Sequence, residues 1–550
     1  MAVTRRAMLR LLGSGAAGLL LAACGSQAAP MASPPSAATS PPATAKPSAA
    51  AATSSPGAGS AKPSAAPSGA AQPKSGGVLR MGVLGDLQGL DGHLTTGLDT
   101  TRRIWEPLTV LDAQLNVSSV LAESFDIKSD AKQLTLQLRK GVQWHTGREL
   151  TSDDVIWNFK RLQDPKTNPI YANLTKPFAS LQAPDKYTVV VGFDNPDPFV
   201  GDALQALVML DPVTFQQSGP LRPVGTGAFT FGDYTQGVSI RLLKNTNYWR
   251  SGLPYLDEIQ VTIYKDPQAL INAFEGGQLD VASGPPGPSV PDFVRLQKNS
   301  KYQALLDSAS GNYQGVAFNS TQPPTNNKLF RQALNFALDR QRVADSVWQG
   351  LEKPLGLLWF PNAPAYDATQ NQHYAFDLDK AKALLAQSGV TDASVDYNYG
   401  STSQESAQIG QIWQADLAKI GVKMTIKPAD PVALVVMEQR QTYQGIATST
   451  GFYGQLHGGV VWTSPLFGPI NNYSGFKDDK FTQLSLAAYT ATDQASQKAA
   501  NAAWNDFVTD SAHVTAITSQ SPRALAQANV HSLAWDVAGA FLDVSNAWLA

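Results

Sequence analysis

The clearest alternation of apolar and polar positions lies in residues 105–162, which predict a strand, a turn and a helix. Three leucines in residues 134–138 alternate with polar side chains, the period of a strand with one buried face. The stretch LRKGVQWHTG then turns through two glycines. Thr151 and Asp154 are predicted to be the cap and the third residue of a helix. Its apolar face consists of Val155, Phe159 and Leu162.

Further along the chain, short apolar runs alternate with capped patterns of helical spacing. The predicted strands are 77–84, 187–193, 259–264, 315–319, 394–399 and 422–427. The predicted helices are 266–276, 326–350, 379–388 and 403–420. Strands and helices that alternate in this way predict α/β lobes.

Residues 1–24 are typical of an export signal with a lipobox. Paired arginines precede an apolar run, residues 11–21, that is too short to span a bilayer as a stable helix. LAAC, ending at Cys24, resembles a bacterial lipobox, whose cysteine is lipidated and becomes the mature N-terminus. Export by the twin-arginine or the general secretion route fits the arginines, and a lone buried thiol is the alternative for Cys24. Because it is the only cysteine, a disulfide framework and a cysteine-ligated metal are excluded.

Residues 25–75 form a predicted disordered tether. All but six of these 51 residues are Ala, Pro, Ser, Gly or Thr, and none is aromatic or acidic. Such a segment cannot bury enough apolar surface to offset the entropy of ordering. Beside a lipobox, it predicts a flexible link between a membrane anchor and a folded receptor.

The rest of the chain, residues 76–550, is long enough for more than one domain. Removal of residues 1–23 takes away three arginines and moves the formal charge from −2 to −5. This mildly acidic balance argues against a nucleic-acid partner. No later apolar run has the length of a transmembrane helix, so the lipid anchor is the only membrane attachment expected.

The sequence offers no convincing catalytic or metal-binding constellation. The six histidines stand singly, and neither HExxH nor Gly-x-Ser-x-Gly occurs. Ser129 and Lys132 have serine–lysine spacing but are predicted to lie in an exposed turn. Gly225 and Gly227 lack the third glycine of a dinucleotide-binding loop and instead indicate close backbone approach. We therefore expect no enzyme activity, no metal and no cofactor.

Several motifs, in matching order, resemble those of family 5 extracellular solute-binding proteins. They are WEPLT, LAESF, LRKGVQWHTG, LTSDDVIWNFKR, the Gly-Thr-Gly of residues 225–227, the Asn-x-x-Tyr-Trp of residues 245–249, and FRQALNFALDRQRV. The resemblance implies a two-lobed periplasmic-binding-protein fold of the α/β class, with an extra subdomain inserted in lobe I. The expected domains are lobe I at 76–108, 223–314 and 517–550, the inserted subdomain at 109–222, and lobe II at 315–516.

The resemblance also places a ligand wall in residues 450–462, TGFYGQLHGGVVW. Aromatic side chains beside glycines suit a pocket that stacks on a ligand and hydrogen-bonds it, although an ordinary surface loop would have the same composition. Peptide-binding relatives have an aromatic residue that matches Phe452 and an aspartate, which pairs with the peptide ammonium, that matches Gln455. A neutral amide cannot neutralise that charge. The predicted ligand-binding residues are Asp91, His93, Trp359, Phe452, Tyr453, Gln455, His457, Trp462 and Tyr473.

The resemblance implies a monomeric substrate-binding lipoprotein of an ABC importer. It would sit on the outer face of the cytoplasmic membrane or in the periplasm, bind a small molecule or an oligopeptide, and deliver it to permease subunits driven by separate ATPases. Two alternatives remain open at this point: a ligand-sensing receptor without transport, and an extracellular hydrolase on the same fold.

Overall fold

Three β-sheets built from separate parts of the chain carry the fold. The computed structural model describes residues 72–550 except 88, 95–101, 113–115, 168, 170, 285–286, 308–311, 452–461, 463–467, 470–471 and 537–540. The strands are β1 (Val78–Leu84), β2 (Thr109–Leu111), β3 (Val117–Ser119), β4 (Ala122–Ile127), β5 (Gln133–Leu138), β6 (Phe178–Asp185), β7 (Thr188–Phe193), β8 (Phe229–Thr235), β9 (Ser239–Lys244), β10 (Glu258–Tyr264), β11 (Val281–Ser283), β12 (Tyr302–Leu306), β13 (Tyr313–Phe318), β14 (Ser394–Gly400), β15 (Lys423–Ala429), β16 (Ile446–Gly451), β17 (Val514–Ser519), β18 (Arg523–Gln527), β19 (Val530–His531), β20 (Ala534–Asp536), β21 (Phe541–Asp543) and β22 (Trp548–Leu549).

The helices lie on the faces of these sheets or connect their strands. They are α1 (Ser152–Gln163), α2 (Ala172–Thr175), α3 (Val200–Leu204), α4 (Pro212–Ser218), α5 (Pro267–Glu275), α6 (Val290–Leu296), α7 (Lys328–Phe336), α8 (Arg340–Ser346), α9 (Ala368–Asn371), α10 (Leu378–Ser388), α11 (Gln404–Lys419), α12 (Pro431–Gln439), α13 (Asp479–Thr490) and α14 (Gln494–Ser511). A single 3-10 turn, Gly219–Leu221, follows α4. None of the described helices is both long and apolar enough to cross a membrane.

The lobe I sheet has seven strands in the order β12-β18-β11-β1-β10-β9-β8. β1 pairs in parallel with β10 on one side and with β11 on the other. β10 shows why such a segment forms a strand: Ile259, Val261 and Ile263 are buried while the residues between them are not. This alternation buries one apolar face against the core and leaves the other face partly in water.

The lobe II sheet has five strands in the order β15-β14-β16-β13-β17. Every residue of β13 and β17 is buried, so these strands are covered on both faces. The predicted helix 326–350 is wrong as one element, because the chain folds there into α7 and α8. The first helix ends at Phe336, and Asp339 caps the start of the second, since its side chain accepts the Arg342 backbone N–H at 2.9 Å.

A third, four-stranded sheet has the order β4-β5-β7-β6 and packs on α1. All four strands lie within residues 109–222, the predicted inserted subdomain; the domain boundaries themselves stay predictions. Thr151 is the N-cap of α1, as expected, and its backbone N–H donates to the Asp154 carboxylate at 2.9 Å.

Several of the sequence motifs meet at one buried cluster, which joins two of the stretches predicted for lobe I, residues 76–108 and 223–314. The Glu106 carboxylate accepts hydrogen bonds from Thr226 Oγ1 at 2.9 Å, Tyr248 Oη at 2.7 Å and Trp249 Nε1 at 2.8 Å. Gly225 leaves no room for a side chain, since a Cβ there would lie 1.9 Å from the backbone oxygen of Ile104. The predicted close backbone approach at this motif is confirmed, and these residues build scaffold.

Candidate functional site

The carboxyl ends of the parallel strands define one edge of each large sheet. In lobe I they are Leu84, Tyr264 and Ser283, and in lobe II they are Gly400, Ala429 and Gly451. In open α/β sheets, ligands bind outside the carboxyl ends of the strands. β16 ends at Gly451, at the lobe II edge, and most of the predicted wall follows it in the sequence.

Among the described strands, the chain passes from one large sheet to the other after β12 and after β17, and these strand ends lie at the same edges. The first crossing runs from β12 to β13, and the second from β17 to β18. The two crossing segments are hydrogen-bonded to each other: the Asp307 N–H donates to the Pro522 carbonyl at 3.0 Å and the Gln520 N–H to the Asn312 carbonyl at 2.9 Å. Two short connections whose described ends are hydrogen-bonded to each other are expected at a hinge between lobes.

Glu352 and Arg523 are buried beside the second crossing. Their nearest charged atoms, Glu352 Oε1 and Arg523 Nη1, are 3.9 Å apart, and both side chains are 2% exposed or less. The carboxylate also accepts from Ser519 Oγ and from the Ser521 N–H, each at 2.7 Å. Burial raises the pKa of Glu352 and lowers the pKa of Arg523. Because Arg523 begins β18, this pair ties lobe II to a lobe I strand at the hinge.

Asp91 and His93 lie together, but in a buried cluster with Arg161 of α1. Arg161 Nη2 donates to Asp91 Oδ2 at 2.5 Å, and Arg161 Nη1 donates to His93 Nδ1 at 2.7 Å. His93 Nε2 donates in turn to the Val208 carbonyl at 3.1 Å, which fixes the neutral tautomer. Burial and the Arg161 charge lower the pKa of His93 to about 3. The cluster joins the loop after β1 to α1; ligand contact by Asp91 and His93 stays a prediction.

Trp359 is packed in the interior of lobe II, with 1% of its surface exposed. Its Nε1 donates to Asn505 Oδ1 at 2.6 Å, and its ring lies 5.5 Å from the ring of Trp504. These contacts satisfy the indole within the protein. The prediction that Trp359 lines the ligand site is not tested, and its burial does not support it.

Tyr473 lies in a turn at the opposite end of β16 from Gly451. Its backbone carbonyl accepts from Tyr443 Oη at 3.0 Å, and the neighbouring Ser474 carbonyl accepts from the Ser320 N–H at 2.8 Å. Ser320 follows the end of β13, where Phe318 pairs with Ile446, the first residue of β16. Tyr473 is thus separated along β16 from the edge that carries the predicted wall.

Of the predicted wall, Trp462 is the one candidate within the described residues, while Phe452, Tyr453, Gln455 and His457 lie outside them. The Trp462 ring is stacked on Tyr489 of α13, with centroids 6.4 Å apart and planes 18° apart. Across the part of the chain that the structure describes, no group of three or more His, Cys, Asp or Glu residues could hold a metal ion.

Four residues described above were not predicted from the sequence: Arg161, Glu352, Arg523 and Tyr489. Arg161 was hidden because its partner Asp91 is 70 residues away along the chain. Glu352 and Arg523 carry no spacing signal, since their relation depends on how the chain returns from lobe II to lobe I. Tyr489 lies in a helix that was not predicted.

Comparison with known proteins decides the family. Residues 116–479 match the bacterial extracellular solute-binding proteins, family 5 Middle, over more than half of the chain. The chain belongs to this family. The resemblance inferred from the motifs is therefore confirmed, as is the two-lobed periplasmic-binding-protein fold.

Curated relatives of this family 5 protein are named for binding rather than for catalysis. It is 28% identical over 420 residues to heme-binding protein A of Haemophilus influenzae, covering 69% of this chain and 74% of that one. It is 28% identical over 423 residues to the glutathione-binding protein GsiB of Salmonella choleraesuis, covering 74% and 81%. Among solved structures, the periplasmic binding protein AgaA from A. tumefaciens R10, in complex with agropinic acid, superposes with a TM-score of 0.77 at 23% identity, covering 86% and 99%.

Proposed function

We propose that this family 5 protein is the extracytoplasmic substrate-binding lipoprotein of an ABC importer. It captures a peptide or a solute of similar size between its two lobes and delivers it to the permease. The observation that carries the proposal is the arrangement of the two sheets, whose carboxyl edges are joined by two short, hydrogen-bonded crossings. Ligand-driven closure about such a hinge would give the permease a surface that differs between empty and loaded receptor.

The proposed ligand is held mainly by stacking and neutral hydrogen bonds. The predicted wall, residues 450–462, contains no acid, and Gln455 stands where peptide-binding relatives have the ammonium-binding aspartate. The names of the relatives cover heme, the tripeptide glutathione and agropinic acid, so membership of the family leaves the ligand class wide. We therefore favour a ligand that does not depend on a free peptide N-terminus.

Titration calorimetry on the folded receptor tests this proposal. The ligands are glutathione and a pool of tetrapeptides, each with a free and with an acetylated N-terminus. We expect 1:1 binding in which acetylation changes the dissociation constant by less than threefold. Phe452→Ala combined with Trp462→Ala should weaken binding at least tenfold, since a base-like or amide stack on an aromatic contributes about 1–3 kcal/mol.

Phe376→Ala is the matched control, because Phe376 is an aromatic side chain with 41% of its surface exposed outside the wall. Unchanged affinity in the double variant would refute the wall. If the protein hydrolysed any tested peptide, and one substitution in the cleft abolished that hydrolysis, the protein would be an enzyme and not a receptor.

Attachment to the membrane through Cys24 is the second part of the proposal. It is supported by the lipobox wording and by the adjoining Pro-, Ala- and Ser-rich stretch. Cys24→Ala should move the protein from the membrane fraction to the soluble fraction of cells. Retention in the membrane fraction would rule out the lipid anchor.

A further inference from the structure

Helix α6 contributes to the interior of both lobes. Phe293 and Leu296 are buried in a cluster of lobe I that includes side chains of β11 and β18. Val290 is buried in a cluster of lobe II that includes side chains of β13, and Val294 packs against that same cluster. Positions 290 and 294 are about one turn apart and lie on the same side of the helix. α6 therefore presents a different side to each lobe.

Leu351 makes the matching contact from lobe II. It follows α8 in the chain and is half-buried. Its side chain packs against both of these clusters, the one built on lobe I strands and the one built on lobe II strands. The two lobes are thus joined by a layer of apolar side chains in addition to the two chain crossings.

Arg523 connects polar groups of both lobes beside this apolar layer. Its Nε donates to the carbonyl of Pro288, two residues before α6, at 3.2 Å, and its Nη1 lies 3.9 Å from Glu352 Oε1. Its Cζ is 5.6 Å from the ring centroid of Trp348, which is buried in the lobe II cluster. Ser521 Oγ donates to Glu352 Oε2 at 3.0 Å. Arg523 therefore contacts the segment before α6 and the segment after α8 at the same time.

Separation of the lobes at this place would be unfavourable. Val290 is 1% exposed and Arg523 is 2% exposed. Separation would bring apolar surface into water and would split a buried, hydrogen-bonded pair of charges. Densely packed contacts of this kind resist continuous deformation. The strands at the opposite ends of the two sheets, β8 and β15, are the ones that a rotation about this place moves furthest.

We propose that Val290, Val294, Leu351, Glu352 and Arg523 form a pivot contact, which stays packed in the open and in the ligand-loaded receptor and about which the lobes rotate. Arg523 and Glu352 are positioning residues for ligand binding, because they fix the axis of closure. This inference rests on the proposed function, since it assumes that the lobes open and close. A looser pivot contact would populate lobe arrangements that do not bind ligand.

Distances between pairs of spin labels, measured by double electron–electron resonance, test the inference. Cys24 is the only native cysteine, so Cys24→Ser is the parent for both pairs. The near pair, Lys298→Cys with Ser346→Cys, places one exposed label after α6 and one on α8, on the two sides of the pivot contact. The far pair, Val238→Cys with Val432→Cys, places exposed labels beside β8 and β15.

The near pair should keep one narrow distance in the free protein, with glutathione and with the tetrapeptide pool. Across the same samples, the far pair should show more than one distance, and ligand should favour the shorter one. A near pair whose distance changes together with that of the far pair would overturn the pivot contact alone. A far pair with one unchanged distance in every sample would overturn the hinge motion of the proposed function.

Arg523→Met keeps the length of the side chain and removes its charge and its hydrogen bonds. It should at least double the widths of both distance distributions and weaken binding of the tetrapeptide pool about tenfold, because the binding arrangement is then a smaller fraction of the ensemble. Leu351→Ala truncates a half-buried side chain of the same contact and should broaden both distributions in the same way. It serves as the test if Arg523→Met does not fold.

Glu438→Gln is the matched control, since Glu438 is a buried acid of lobe II on α12, outside the pivot contact. It should leave both distance distributions unchanged. A purely structural role of the pivot contact would lower the free energy of unfolding and leave these distributions as they are. Unchanged widths in every folded variant of Arg523 and Leu351 would therefore overturn the inference.

Discussion

The buried pair between Asp91 and Arg161 should be among the costliest polar contacts to break. Two bonds connect the side chains, Nη2–Oδ2 at 2.5 Å and Nη1–Oδ1 at 3.1 Å, and the side chains are 8% and 12% exposed. Arg161 also lies over the ring of Phe215, 4.3 Å from its centroid, and donates to His93. Arg161→Met keeps the length of the side chain and removes all of these polar contacts.

The expected loss of unfolding free energy follows from the Asp91 carboxylate, which remains buried after Arg161→Met. The Asp91 carboxylate loses its counter-charge, and breaking one side of a buried pair in this way costs about 3–5 kcal/mol. In Asp91→Asn with Arg161→Met no charge is left, so the double variant should be more stable than Arg161→Met alone. The coupling free energy of the double-mutant cycle should be at least about 2 kcal/mol.

Urea unfolding, combined with hydrogen exchange of the amides of β1 and α1, measures these differences and localises them. Arg241→Met is the control, since Arg241 pairs with Asp233 and Glu258 at the surface with 44% of its side chain exposed. The free energy of unfolding of that variant should fall by less than about 1 kcal/mol. The prediction is wrong if Arg161→Met also lowers the free energy of unfolding by less than about 1 kcal/mol. It is equally wrong if the free-energy loss of the double variant equals the sum of the losses of the single variants.

Two further predictions concern a buried acid and a crowded glycine. Glu438 is 3% exposed, and burial raises its pKa to about 8. The folded state therefore keeps a proton that the unfolded state releases, and the free energy of unfolding of the wild type should fall as the pH rises from about 5 to about 8. Glu438→Gln should remove this fall and be roughly 3 kcal/mol more stable at pH 7 in urea unfolding; an identical pH profile in both proteins would contradict it. Gly225→Ala should prevent recovery of soluble protein, since its Cβ would lie 1.9 Å from the Ile104 carbonyl oxygen. Gly89→Ala is the control and should be tolerated, because no atom lies within 4 Å of a Cβ at that position. Equal yields of soluble protein from the two variants would contradict the crowding at Gly225.

Much of the fold could be predicted because local patterns matched their tertiary surroundings. The alternation in residues 134–138 became β5 because one face of that strand packs into the core. Helix starts were predicted correctly where a single side chain forms the N-cap, as at Asp266, which accepts the Ala269 N–H at 2.7 Å. One helix was predicted over residues 326–350, where the structure has α7 and α8, because the apolar positions keep their helical spacing across the break. In the sequence alone, nothing distinguishes Asp339 from an acidic residue on the surface of a continuous helix.

The site was harder to predict because its polar groups act through partners that are distant in sequence. From the sequence, Asp91 and His93 are expected to be exposed in a loop, but in the structure Arg161 donates hydrogen bonds to both of them. Trp359 looks like an exposed aromatic in a Pro-containing loop, yet Asn505 binds its indole nitrogen in the interior.

Native mass spectrometry tests the central claim, that this protein captures one solute between two lobes, most directly. The full-length protein is purified without denaturation, and its mass is compared before and after acid release of any bound molecule. We expect one molecule of peptide size per chain, which is lost on acidification and rebinds 1:1 to the refolded receptor. Protein that carries no solute, and that retains none after incubation with the tetrapeptide pool, glutathione and heme, would contradict it.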